Sequence, residues 1–146
     1  MMTIVPILLA LSGQVNSPSA GQSNMGDYTR WSRGPSQEAE FFPIAVWLQS
    51  PKNAARYRNA GINLYFGLLK GPTEEQLRAL TDAGMPTICT QNETGLNSQY
   101  ADVIVGWMHG DEQDNAQARA DGKGYGPPIL PSVIVGEYNR MRQRDP

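Results

Sequence analysis

The chain of 146 residues is 40% hydrophobic and 18% charged, with a formal net charge of −2, which is the balance of a soluble globular protein. This excludes a disordered segment, and the absence of a basic patch leaves no footprint for a nucleic-acid partner. One cysteine, Cys89, and one histidine, His109, rule out an intramolecular disulfide and any multi-cysteine or multi-histidine centre, so no metal and no cofactor is expected.

The chain opens on an apolar run, Thr3-Ile4-Val5-Pro6-Ile7-Leu8-Leu9-Ala10-Leu11, followed by small polar residues from Ser12 to Gln22. The run is too short to span a bilayer and has the length of a signal-peptide hydrophobic segment. Residues 1–20 are therefore expected to be a signal peptide and the protein to be secreted or periplasmic, without membrane association beyond export. A buried N-terminal strand is the alternative. Residues 21–40 are rich in Gly, Ser, Gln and Pro and read as an extended lead-in anchored by Tyr28 and Trp31.

From Phe41 the pattern changes. Phe41 to Leu48 is a continuous apolar run of strand length, as expected for a strand covered on both faces. Ser50 and Pro51 are start signals for a helix that Gly61 would close in the left-handed conformation. Residues 62–66 form the second strand. Thr73 with Gln76 reads as a capping box, Glu74 and Glu75 suit the positive helix end, Leu77 and Leu80 make the buried stripe, and Gly84 ends the helix. Pro86 to Thr90 is the third strand, with Cys89 inert inside it. The polar stretch from Gln91 to Asp102 is long enough for a compact crossover. Val103 to Trp107 is the fourth strand. A loop with a glycine turn at 122–126 leads to a helix from Pro131 to about Arg142, with Val133, Ile134, Tyr138 and Met141 at helical spacing.

Strands alternating with helices, and the repeated Asn59-Ala60-Gly61-Ile62 and Asp82-Ala83-Gly84-Met85, imply an α/β fold with a parallel sheet. No Gly-x-Gly-x-x-Gly follows the first strand, which argues against a dinucleotide site. In parallel α/β folds the active site forms at the carboxyl ends of the strands. Here those ends carry Trp47 and Gln49, Gly67 and Lys70, Gln91 and Asn92, and finally His109, Asp111 and Glu112.

The tract Gly106-Trp107-Met108-His109-Gly110-Asp111-Glu112 places an aromatic ring, an imidazole and two carboxylates just past a buried strand, where a partly desolvated carboxyl group would serve as a proton donor. With the succession of strands before it, this tract resembles the clan of (β/α)8 glycoside hydrolases whose fourth strand ends in Asn-Glu-Pro or Asp-Glu-Pro. The resemblance covers residues 41–146 and implies the first four strands of a TIM barrel, truncated at the C-terminus and missing its second half. It implies Glu112 as the general acid/base and Asp111 as the contact to the sugar hydroxyl beside the cleaved bond. His109, Trp47, Trp107, Gln91 and Asn92 are the expected further contacts to an oligo- or polysaccharide. Gln113 stands where the pattern has proline. The second carboxyl group would come from the seventh strand, so the isolated fragment is expected to be inactive. Two alternatives from other classes are a non-catalytic glycan-binding barrel and a small structural α/β domain.

Overall fold

The computed structural model describes residues 31–38 and 40–146, which form a four-stranded parallel sheet in the order β1-β2-β3-β4. The expected signal peptide at 1–20, and residues 21–30 of the lead-in with Tyr28, lie outside the described residues. The strands are β1 (Ala45–Trp47), β2 (Leu64–Phe66), β3 (Thr87–Thr90) and β4 (Ile104–Met108); the helices are α1 (Ala54–Asn59), α2 (Glu74–Ala83), α3 (Glu93–Asn97) and α4 (Pro131–Arg144). Each strand pairs with the next in sequence, so the order has no reversal of the kind that opens the crevice of a doubly wound sheet.

Right-handed crossovers put successive helices on one face of such a sheet, and the core lies there. Tyr65 and Thr87, partners in the β2–β3 ladder, are fully buried, as is Cys89 two residues on. They share the core side with Leu77 and Leu80 of α2 and Ala54 of α1. The alternate positions point the other way. Trp47 and Phe66 are ladder partners whose rings stack 5.2 Å apart, and Trp47 remains 46% exposed. The expected first strand covered on both faces is thus corrected: only Ala45–Trp47 pairs, at the sheet edge, and Trp47 is left half-exposed on the face opposite the core.

Local signals explain the helices. Thr73 accepts from Gln76 N while Gln76 Oε1 accepts from Thr73 N, closing the expected capping box, and Gly84 ends α2 at a φ of 60°. Gly61 follows α1 at a φ of 89°. Ser50 makes no side-chain cap; its carbonyl instead accepts the Tyr65 hydroxyl at 3.1 Å, and Pro51 opens a 3-10 turn that leads into α1. The 91–102 stretch contains α3, whose N-cap is Asn92. Residues 117–126 form a tight turn closed by an Ala118–Tyr125 bridge, with Gly122 and Gly124 at positive φ.

Helix α4 departs from its expected stripe. None of its residues is buried, and Val133 and Tyr138 are 45% and 51% exposed. The half-buried positions are Ile134, Gly136, Glu137 and Met141, followed by Asp145, so the inward side mixes apolar with acidic groups. The helix is held by polar contacts to the strand ends.

Candidate functional site

Parallel pairing brings the carboxyl ends of all four strands to one edge. The non-glycine residues with positive φ among the described residues are Leu48 (51°), Lys70 (57°) and Glu112 (46°). Leu48 directly follows β1, Lys70 lies in the loop after β2, and Glu112 lies in the loop after β4. A side chain in left-handed backbone costs about 1–2 kcal/mol, and such positions collect where function or ligand geometry demands them. Their concentration on one edge is a structural mark that no residue pattern announced.

The candidate residues divide by what their polar groups already hold. Asn92 is fully engaged: Oδ1 accepts from Gly95 N at 2.8 Å, capping α3, and Nδ2 donates to the Pro72 carbonyl at 2.9 Å. It ties α3 to the start of α2. Gln91 Nε2 donates to the Met141 carbonyl at 3.1 Å. The Trp107 ring abuts the α carbon side of Gly95, where an added Cβ would sit 3.0 Å from both the indole and Pro72, and Trp107 Nε1 donates to Asp145 Oδ2 at 2.8 Å. Gly95 is therefore the residue that lets α3 close on the indole. Trp47 is the aromatic ring left open, over Phe66. Gln49 accepts from the Tyr57 hydroxyl at 3.0 Å and donates to the Trp47 carbonyl at 3.2 Å.

At β4, His109 is half-buried, and its Nε2 is enclosed without a hydrogen-bond partner, 3.9 Å from Glu137 Oε2. Glu137 Oε2 also accepts from Gln113 Nε2 at 2.9 Å. Asp111 and Glu112 are exposed, and among the described residues neither carboxylate has a hydrogen-bond or ion-pair partner. The partial desolvation expected for Glu112 is not found: the chain turns outward at its left-handed backbone, and only its carbonyl is engaged, accepting from Asn115 N and Gln117 Nε2. Asp114 is exposed as well.

Between the lead-in, β3, β4 and α4 lies an open cleft of about 870 Å³, with Ile88, Ile104 and Gly106 at its floor and Arg33, His109 and Asp145 among its polar lining. Asp145 pairs with Arg33 at 2.8 Å, and Arg144 pairs with Glu93. The Arg142 guanidinium stands 5.9 Å over the Tyr138 ring. Arg33, Glu137 and Asp145 were not expected at this site. Their contacts bridge residues far apart in the chain, and spacing carries no trace of them. Asn92, expected as a sugar contact, is instead the cap of α3; the signal that could have shown this is Asn followed by Glu, a helix start. Among the described residues no group of three His, Cys, Asp or Glu side chains converges as a metal site would require. Comparison of the chain with protein-family models, curated proteins and solved structures returns no match.

Proposed function

We propose that the chain forms the first four strand-helix units of a (β/α)8 glycoside hydrolase, with Glu112 as its acid/base carboxylate and an oligo- or polysaccharide as substrate. The observation that carries this reading is the unreversed parallel order, whose shared carboxyl edge holds the left-handed residues Leu48, Lys70 and Glu112 together with the His109–Glu112 loop. Barrel enzymes gather their catalytic groups on that edge. Trp47, stacked on Phe66 and open above it, offers a flat apolar ring for a sugar face. The remaining strands of the barrel would close on the exposed β1 side of the sheet, enclose Glu112 and bring the second carboxyl group, at about 5–5.5 Å for retention or 6.5–9.5 Å for inversion. Export under a signal peptide at 1–20, to the exterior or the periplasm, belongs to the same proposal.

The test is hydrolysis of aryl glycosides and soluble polysaccharides by the complete translation product of the gene. Glu112→Gln should lower kcat/KM by about 10²–10⁴-fold with the fold intact. Retained activity in that variant rejects Glu112 as the acid.

A second reading, glycan binding without hydrolysis, is favoured by the exposure of Glu112 and by its carboxylate having no hydrogen-bond or ion-pair partner among the described residues. It expects glycan affinity with no turnover, lost in Trp47→Ala and indifferent to Glu112→Gln.

A further inference from the structure

Helix α4 spends its polar contacts on the groups that the carboxyl edge would offer a ligand. Met141 takes the Gln91 amide through its carbonyl, Asp145 takes the Trp107 indole N–H, and Glu137 stands opposite His109. The salt links of Asp145 with Arg33 and of Arg144 with Glu93 fasten the end of the helix. Yet no residue of α4 is buried, so the helix lacks the apolar anchoring that Leu77 and Leu80 give α2. Exposed ion pairs are weak individually and are screened by salt. Elements attached in this way open locally without the core unfolding. His109 Nε2, meanwhile, is enclosed with its hydrogen-bonding capacity unmet.

From this we infer that α4 is an autoinhibitory strap. It occupies the carboxyl edge in place of a ligand and must lift, releasing Asp145 from Trp107 and Arg33, before a substrate reaches Gln91, Trp107 and His109. The inference rests on the carboxyl edge being the ligand site, as proposed above, but the lifting of the strap is measurable with no ligand present.

His109 is the chain's single histidine, so its modification by diethyl pyrocarbonate, located by mass spectrometry, reports access beneath α4. Combining Asp145→Ala with Arg144→Gln removes both links at the helix end. His109 modification and amide exchange across residues 131–144 should then rise on the order of tenfold, with exchange in α2 and β3 unchanged. High sodium chloride should move the wild-type chain in the same direction, which keeps the test open if the double variant misfolds. Equal His109 reactivity in the wild type at low salt, the wild type at high salt and the variant overturns the strap, as does exchange in α4 that tracks α2 and β3 under every condition. Oligosaccharide titration of the unlatched chain is a separate arm. Binding that appears only on unlatching supports the strap and the glycan reading together; a freed His109 with no oligosaccharide bound supports the strap and rejects the glycan reading.

Discussion

At the scale of single residues, Asn92 shows how a side chain suited to sugar hydroxyls can be committed to the fold. Its carbonyl oxygen caps α3 and its amide holds the Pro72 carbonyl, so both ends are in use. Asn92→Ala should destabilise the chain by about 1–2 kcal/mol, from the lost cap and the stranded carbonyl. Asn92→Asp keeps the cap acceptor and should cost less, a ranking that urea denaturation would read directly. The loss of stability should appear with no ligand present, which separates a cap from a binding residue. Capping is local chemistry, so the Asn92-Glu93 start signal stood in the sequence, although the reading there gave Asn92 to a sugar contact. The environments of Trp107 and His109 were not, because Asp145 and Glu137 reach them from 38 and about 28 residues away.

At the scale of elements, α2 and α4 contrast two ways of attaching a helix. Helix α2 has a capping box, a left-handed glycine stop and two leucines at zero exposure. Thr73→Ala should cost about 1 kcal/mol and Leu80→Ala about 2–5 kcal/mol, because the latter leaves a cavity under the sheet. Met141→Ala in α4, by contrast, should barely change global unfolding and should speed amide exchange in its own helix. Thermal melts with residue-resolved exchange would distinguish the two. The sequence pattern marked α2 well since a helix facing a core repeats its apolar positions. It placed Ile134 and Met141 inward but missed Glu137 and the following Asp145, which face the strand ends, and left Val133 in the stripe though it is exposed, because polar tethers obey no hydrophobic period.

The packing of α2 on the sheet also sets an alkaline limit. Burial pushes the Cys89 thiol from 9.0 up to about 12, and burial together with the neighbouring Tyr57 pushes the Tyr65 hydroxyl from 10.0 up to about 12. Both groups stay protonated in the folded chain at pH values where they ionise in the unfolded one. The folded state therefore binds more protons over that interval, and stability falls as pH rises. Full stability should hold below about pH 9 and decline progressively towards about pH 12. Cys89→Ala should flatten the lower part of this decline, as measured by denaturant titrations across the range. Cys89 should react with a thiol reagent only as fast as the core opens.

At the scale of the whole molecule, the sheet carries its core on one face; over the other, the lead-in and α4 flank a cleft at β3 and β4, and the β1 side is bare. The repeated Ala-Gly boundaries made the alternation legible, and with it the parallel sheet. The bare side was hidden, because the apolar run at 41–48 reads identically whether a strand is covered on both faces or waits for a cover. In the fold, Phe42, Ile44, Trp47 and Leu48 are 74%, 46%, 46% and 38% exposed around β1, an edge strand that carries no charge within Ala45–Trp47. An uncharged parallel edge beside exposed apolar side chains is a surface on which a further strand can add. The 146-residue chain should accordingly bind a hydrophobic dye while folded, and its sedimentation coefficient should rise with concentration. Trp47→Lys should suppress both effects. Its stability cost should stay within about 1 kcal/mol, since the indole is half-exposed and its loss opens no cavity in the core. A concentration-independent monomer that leaves the dye unbound would show that the β1 side needs no partner, and the barrel reading would lose the surface on which its remaining strands must close.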